Sequence, residues 1–312
     1  MAKQKSDLKK LKYTTDPREF EKFIYRLRCD KLREPLGNTL ANIFTMRYIG
    51  NKTHGDMAEV GLTEFINLFM YDFKCIHVGK EFFRSKEHEE DIAILDSTNP
   101  DNEDYIPVSL KAYGLGPLQL STDKDNILYN YLKNLQCNDI CGKAIDEVLK
   151  KIKNSVLFNV IPLIYKESKK GNKCNIFIFN AEKLNNNLKR IVFVGKGKEF
   201  SHEEGKVVER KGRKKKRVHP IFMFLDENNN YICEVRYGGK TANALQRGLW
   251  SDTKKGEKYF TKLFGDWIEY DKQEELLSLF RRALNSTREG HENANGCLND
   301  NINNIIKTSG LK

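Results

Sequence analysis

The chain has 312 residues, of which 39% are hydrophobic and 31% are charged. This length and apolar content suffice for a buried core, in one elaborated domain or two smaller ones. No stretch reaches the roughly 18 consecutive apolar residues of a membrane-spanning helix, and no apolar run follows the charged N-terminus as it would in a secretory signal. We therefore expect a soluble, cytoplasmic protein.

The seven cysteines show no disulfide framework. Their number is odd and they are scattered along the chain, a pattern typical of reduced thiols in a cytoplasm. Cys137 and Cys141 are close together, but no second pair of cysteines or histidines lies near them to complete a zinc site. We therefore expect no structural zinc.

Positive charge is concentrated in one segment. Lysine and arginine number 54 against 43 aspartates and glutamates, which gives a net charge of +11. Between residues 205 and 217, eight basic residues accompany Glu209 alone, so this run carries +7. Such a field attracts a polyanion, and counterion release makes the attraction steeply dependent on salt. The run is either a nucleic-acid contact or a solvated hairpin tip or loop.

The first elements in chain order are helical. Apolar residues recur at three- and four-residue spacing from Asp16, and after a break at residues 35–38 a second pattern continues to Tyr48. A further helix of about four turns is predicted from Met57 to Phe69. Glu59 lies on this helix.

Short apolar runs then predict strands. Residues 74–78, 91–95 and 105–112 read as three strands, the last two separated by a turn rich in Asp, Asn, Ser and Pro. In the third strand, period-two alternation puts Ser109 and Lys111 on one face. We expect this polar face to carry the function.

The second half of the chain is predicted to be mixed. A helix over 145–158 is followed by strands at 175–179 and 190–194, and a hairpin with an Asn-rich turn joins 220–225 to 231–235. A C-terminal helix over 274–284 precedes an Asn-rich tail that we expect to be loosely ordered.

Three separated segments carry side chains that suit one metal-dependent site. They contain Glu59, Asp91 and Lys111. Two acids and a lysine on neighbouring elements can hold a hard cation beside a phosphate and orient a water to attack it. The sequence therefore favours phosphodiester cleavage.

The order of these residues resembles the core of the PD-(D/E)xK nucleases. In that family a helix glutamate precedes a β-hairpin that bears an aspartate, and an acid-x-lysine follows on the next strand. The matching segments are 55–60, 90–92 and 108–111. This chain departs from the pattern in two places, since Glu90 replaces the proline before Asp91 and Ser109 replaces the second acid.

The resemblance implies a role for each residue of the site. Asp91 would bind Mg²⁺ directly, with the backbone carbonyl of Leu110 as a second hard ligand. Lys111 would orient the attacking water and offset charge on the phosphoryl oxygens. Glu59 would complete the metal shell directly or through water, and Ser109 would either contact the metal through water or simply fill the strand. If the strand register differs by one or two residues, Glu89 or Glu90 replaces Asp91 as the ligand.

The resemblance also implies a fold and an activity. The expected fold is α/β, a restriction-endonuclease-like core in which helices flank a mixed central β-sheet, with a helical N-terminal part and a basic insertion. We expect four segments: helical 1–54, catalytic 55–200, DNA-contacting 201–285 and a flexible tail, 286–312. The expected activity is that of a type II restriction endonuclease, which hydrolyses double-stranded DNA with Mg²⁺ and leaves 5′-phosphate ends.

The partners and the alternatives follow from this activity. Cutting both strands at a symmetric site calls for a homodimer, and a restriction-modification system includes a cognate DNA methyltransferase encoded nearby. One alternative is a structure-selective repair or junction nuclease. Another is a non-catalytic DNA-binding protein in which Asp91 and Lys111 form a salt bridge.

Residues expected to contact DNA lie in three segments. Gln119 and Ser121 follow two glycines that permit close approach to a strand. The basic run supplies cations for phosphates, and the segment 236–251 is rich in Arg, Asn and Gln, which make paired hydrogen bonds to guanine and adenine. The candidates in these last two segments are Arg213, Lys214, Lys215, Lys216, Arg236, Lys240, Asn243, Gln246 and Arg247.

Overall fold

The computed structural model describes residues 11–47, 53–78, 90–98, 100–121, 127–155, 159–194, 206–210, 213–218, 221–236, 248–271, 274–275, 277–279 and 282. Contacts divide the chain into two compact units. The first comprises Met1–Ala112, Leu163–Ile176 and Leu263–Lys312, and the second comprises Tyr113–Pro162 and Phe177–Lys262. Both units are discontinuous in sequence.

The structure is mixed α/β. The helices are α1 (Pro17–Leu27), α2 (Asp30–Met46), α3 (Thr53–Phe69), α4 (Ile127–Asn134), α5 (Lys143–Ser155) and α6 (Ala181–Asn187). The strands are β1 (Lys12–Tyr13), β2 (Phe73–His77), β3 (Ile92–Asp96), β4 (Asp104–Gly114), β5 (Pro117–Ser121), β6 (Asp139–Cys141), β7 (Val160–Ser168), β8 (Gly171–Phe179), β9 (Arg190–Val194), β10 (Lys206–Arg210), β11 (Arg213–Val218), β12 (Ile221–Leu225), β13 (Tyr231–Arg236), β14 (Gly248–Asp252), β15 (Phe260–Lys262) and β16 (Ile268–Tyr270). The described residues beyond 273 are helical, within the predicted C-terminal helix.

A mixed sheet forms the centre of the first unit. Its strands lie in the order β8-β7-β4-β3-β2, with β16 on β8 and β1 on β4. The pairing of β1 with β4 is parallel, whereas β2 with β3 and β3 with β4 pair antiparallel. The register aligns His77, Ile92 and Val108 across β2, β3 and β4. This alignment brings the start of β3 beside the middle of β4, where the predicted site residues lie.

Helices pack on this sheet through aromatic and polar contacts. Phe23 of α1 meets Phe73 of β2 edge to face, with ring centroids 5.3 Å apart. Asn67 of α3 exchanges two hydrogen bonds with the backbone of Cys75, at 2.8 and 3.0 Å. The side-chain amide thus serves as an extra partner for β2 and holds α3 in register with that strand.

The predicted break at residues 35–38 is wrong. The chain instead breaks at residues 28–29, and Pro35 lies inside α2. Its missing N–H removes one helical hydrogen bond, but the buried Leu36, Leu40 and Phe44 that follow it anchor the helix through one apolar face. Packing of that face outweighs the local cost of the proline, because tertiary context overrides helix propensity.

The second unit is built on an antiparallel sheet of six strands. Their order is β5-β14-β13-β12-β9-β6, and the predicted hairpin is its β12–β13 pair. Tyr129 of α4 packs edge to face on Phe222 of β12, with ring centroids 5.4 Å apart. β15 pairs with residues 177–179 at the end of β8, and β10 with β11 forms a separate two-stranded sheet. Within the described parts of the chain, no helix is both long and apolar enough to cross a membrane.

Candidate active site

Asp91 forms the centre of the candidate site. Its Oδ2 accepts a hydrogen bond of 3.0 Å from the Ser109 hydroxyl and one of 2.8 Å from the Leu110 amide. The Asp91 amide in turn donates to the carbonyl of Val108, and Val78 donates to the Asp91 carbonyl. Both the backbone and the carboxylate of Asp91 are therefore held between the end of β2 and the middle of β4.

The hydrogen bond to Asp91 gives Ser109 a definite contact. The side chain is buried, and its hydroxyl donates to an acid on the neighbouring strand. The Leu110 amide donates to the same oxygen. In a strand the N–H and C=O of one residue leave on the same side, so the Leu110 carbonyl is directed to the side of β4 on which Asp91 lies.

Lys111 follows two residues after Ser109 in the same strand. Alternation puts the two side chains on one face of β4. Lys111 is half-buried, and in the described part of the chain its ammonium forms no ion pair. The salt bridge between Asp91 and Lys111 that the non-catalytic alternative requires is therefore not present among these residues.

Glu59 contacts a residue that the sequence did not single out. On α3, its Oε2 lies 2.9 Å from Nε2 of His77, and because a carboxylate only accepts, the imidazole N–H is the donor. His77 is two residues beyond Cys75 on β2, and Cys75 faces α3. Period-two alternation therefore puts His77 on the face of β2 that is turned to α3, and this pattern in the sequence could have predicted the contact. The structure thus brings Glu59 to His77, whereas Asp91 is brought to Ser109 and Leu110.

Glu90, the alternative ligand, is buried, with 2% of its surface exposed. Its Oε1 accepts a hydrogen bond of 3.2 Å from the hydroxyl of Tyr13 in β1. Because β1 pairs with β4, Tyr13 reaches Glu90 from the same sheet. Glu89, the other alternative, lies outside the described residues.

The donor set around Asp91 can be compared with what Mg²⁺ requires. Among the described residues, no group of three or more His, Cys, Asp and Glu side chains is arranged to hold a metal. Mg²⁺, however, is usually held by one or two carboxylates, keeps several waters and shares the phosphates of its substrate. The Asp91 carboxylate, the Ser109 hydroxyl and the Leu110 carbonyl are hard oxygen donors that fit this type of site.

Gln119 and Ser121, which were predicted to contact DNA, lie on a buried strand of the second unit. Residues 117–121 form strand β5, which pairs with β14. Gln119 is 0% exposed and Ser121 is also buried. Both side chains lie in the interior of the second unit, and a buried side chain cannot reach a base edge or a phosphate at the surface.

The remaining DNA-contact candidates are attached at one end of the six-stranded sheet. Val194, Ile221, Arg236 and Gly248 are successive cross-strand partners at that end. The β10–β11 pair, which we call the basic hairpin, lies in the chain between the first two of these residues, and residues 237–247 lie between the last two. Since adjacent strands lie about 4.8 Å apart, all four attachment points fall within roughly 15 Å.

Part of this surface lies outside the described residues. Lys240, Asn243, Gln246 and Arg247 belong to 237–247 and are not described. For Arg213, Lys214, Lys215 and Lys216 the backbone is described, as strand β11, but not the side chains. Arg236 is described fully, and its Nε forms an ion pair with Glu234.

Comparisons with known proteins were negative. A scan against protein-family models finds no match. Searches of curated proteins and of solved structures also find none. The resemblance to the PD-(D/E)xK core therefore rests on the short motif itself.

Proposed function

We propose that the protein is a Mg²⁺-dependent endodeoxyribonuclease that cleaves double-stranded DNA at a specific sequence, as type II restriction endonucleases do. The proposed reaction is in-line attack of water on a phosphodiester, which leaves a 5′-phosphate and a 3′-hydroxyl. The observation that carries the proposal is the convergence of Asp91 with Ser109 and Leu110, beside Lys111 on β4. Metal-dependent phosphodiester hydrolysis needs an acid that holds the cation and a lysine close to it, and here they lie on neighbouring strands.

Each residue of the site has a proposed task. Asp91 and the Leu110 carbonyl would hold Mg²⁺, which supplies Lewis-acid stabilisation of the phosphoryl oxygens. Ser109 and the Leu110 amide fix the orientation of the Asp91 carboxylate through their hydrogen bonds. Lys111 would position the attacking water and offset the negative charge that develops on the phosphate.

Glu59 is proposed to complete the site, directly or through water. Its hydrogen bond to His77 holds the carboxylate at the end of β2, but His77 pairs with Ile92 and shares its face, opposite to the face of Ser109 and Lys111, so water would bridge Glu59 to the metal. Water-mediated contact is consistent with the few protein ligands that Mg²⁺ takes.

DNA is proposed to bind the end of the second unit's sheet that carries the basic hairpin and residues 237–247. The run 205–217 has a net charge of +7, which suits the phosphate backbone. Two active sites are needed to cut both strands of a symmetric sequence, so we propose a homodimer.

Plasmid digestion in the presence of Mg²⁺ tests the function. Discrete, reproducible fragments are expected, and they should disappear with excess chelator. Cleavage that depends on DNA structure would indicate a repair or junction nuclease instead. Absence of cleavage despite binding would leave only a DNA-binding protein.

Substitutions then test the site. Asp91→Asn and Lys111→Ala should each lower the cleavage rate about 100-fold or more while DNA binding is retained. Lys166→Ala is the matched control, because Lys166 is an exposed strand lysine in the same unit. Full activity of Lys111→Ala would contradict the assignment.

A further inference from the structure

Three side chains at the end of the six-stranded sheet form one stacked and ion-paired group. The guanidinium carbon of Arg236 lies 4.2 Å from the centroid of the Trp250 ring. Its Nε pairs with the carboxylate of Glu234, which is the direct cross-strand partner of Trp250. Stacking from one neighbour and an ion pair from the other together fix the plane of the guanidinium.

The contacts with Trp250 and Glu234 leave the Nη–H donors of Arg236 available for a ligand. A guanidinium carries five N–H donors, and the hydrogen bond to Glu234 uses the one at Nε. Among the described residues, Glu234 is the ion-pair partner of Arg236, and the arginine side chain keeps 31% of its surface exposed. The two Nη nitrogens can therefore donate in parallel to a pair of acceptors.

The position of the group points to DNA as the source of those acceptors. Arg236 is the last residue of β13, in the row of strand ends to which the basic hairpin is attached. Phosphates next to that hairpin would bring base edges to the same end of the sheet. A pair of parallel acceptors occurs there both in a phosphate and in guanine, which presents O6 and N7 in the major groove.

Charge balance favours the base over the phosphate. Glu234 is buried and offsets the charge of Arg236, so the pair adds little to the field that attracts a polyanion. The pair still offers the Nη–H donors of Arg236, held in a fixed direction in the plane of the guanidinium. Contacts with phosphate need charge more than direction, whereas readout of a base needs direction.

We propose that Arg236 reads a guanine in the DNA target, with Trp250 and Glu234 as positioning residues that hold its guanidinium. This inference rests on the proposed binding of DNA and adds the chemistry of recognition. It applies to one base position in each half of the symmetric target and does not depend on the cleavage site in the first unit.

Selection of bound sequences from a randomised duplex pool tests the inference. The binding reactions contain no Mg²⁺, so cleavage plays no part. The wild-type protein should select a motif with an invariant guanine. Arg236→Lys keeps the charge but loses the paired geometry, and preference at that one position should fall about 10- to 100-fold while the other positions stay fixed.

Further variants separate positioning from folding. Trp250→Phe and Glu234→Gln should weaken preference at the same base position, in variants whose thermal unfolding stays cooperative. Arg190→Lys is the matched control, because Arg190 is also ion-paired, with Asp139, but lies at the opposite end of strand β9. Replacing the selected guanine by 7-deazaguanine removes N7, and it should weaken wild-type binding but not binding by Arg236→Lys.

Each outcome decides a separate question. If Arg236→Lys selects the same motif with affinity weakened equally for all sequences, the arginine contacts phosphate and the inference is overturned while the proposed function stands. If the motif and the affinity are both unchanged, the inference is likewise overturned. If the wild-type protein binds no duplex, the proposed function fails and the inference fails with it.

Discussion

Asp226 anchors the β12–β13 turn, and its replacement by asparagine is expected to destabilise the second unit. The side chain is 4% exposed and accepts hydrogen bonds from the amides of Asn228 and Asn230, at 3.0 and 2.8 Å. The hydroxyl of Tyr259 donates at 3.0 Å, and Lys258 completes the network with an ion pair. One buried carboxylate thus ties the hairpin turn to a segment about 30 residues later in the chain.

The magnitude follows from the partners. Asparagine keeps the shape of aspartate but loses the charge, and its amide nitrogen places two donors among groups that are themselves donors. Hydrogen bonds to a charged group contribute about 1.5–3 kcal/mol each, although Lys258 is half exposed and regains hydration when its partner is removed. We expect Asp226→Asn to lower the free energy of unfolding by about 2–3 kcal/mol at neutral pH.

The pH dependence has a definite sign. Burial alone would raise the pKa of Asp226, but hydrogen bonds from Lys258, Asn230 and Tyr259 outweigh it and hold the pKa far below its usual value. A carboxyl with a lowered folded-state pKa stabilises the fold above its unfolded pKa of about 3.9 and loses that contribution as the pH falls further. The difference between the wild-type protein and Asp226→Asn should therefore be constant from about pH 5 to about pH 8 and shrink below about pH 4.

Urea unfolding at several pH values measures this difference. The chain has 2 tryptophans, so in a Trp267→Phe background the fluorescence of Trp250 reports on the unit that contains Asp226. Glu227→Gln is the control, since it removes the same charge from the exposed neighbouring position and should change stability by less than about 0.5 kcal/mol. A loss for Asp226→Asn as small as that of the control, or one unchanged between about pH 6 and about pH 3, would refute the reasoning.

Three further predictions concern the site, the Lys22–Asp96 ion pair and the thiols. Ser109→Ala removes the hydroxyl that donates to the Asp91 carboxylate, so initial rates of plasmid cleavage should fall about 10-fold without being abolished, and an unchanged rate would contradict the proposed orientation. Lys22→Ala removes the ion-pair partner of buried Asp96 and should lower the free energy of unfolding by about 1–2 kcal/mol in urea titrations, more than replacement of exposed Lys31 does. Burial raises the pKa of the Cys75 and Cys174 thiols to about 12, and that of Cys233 is also raised. Peptide mapping after brief alkylation of the native protein should therefore find modification at the exposed thiols but not at these three, and among the described residues the exposed thiols are Cys29, Cys137 and Cys141.

Local sequence patterns predicted most of the elements that carry the site. The helix bearing Glu59 and the strands around Asp91 and Ser109 lie where periodicity put them. Period-two alternation and helical spacing act within one element, so a single sequence suffices to detect them. The β12–β13 hairpin was predicted in the same way, from two apolar runs around an Asn-rich turn.

Partners distant in sequence decided the rest. Local spacing cannot show that His77 would bind Glu59, that β5 would pair with β14 and bury Gln119, or that Trp250 would stack on Arg236. These contacts depend on cross-strand register and on which face of each element becomes buried. Both are set by packing between segments tens to more than a hundred residues apart.

The chain by itself therefore determined the types of element and the chemical groups they carry. Tertiary structure decided which groups meet and which remain exposed, because burial is a property of the assembled units. Pro35 illustrates the division, since its local preference predicts a break, yet α2 runs through it into the buried apolar face of Leu36, Leu40 and Phe44.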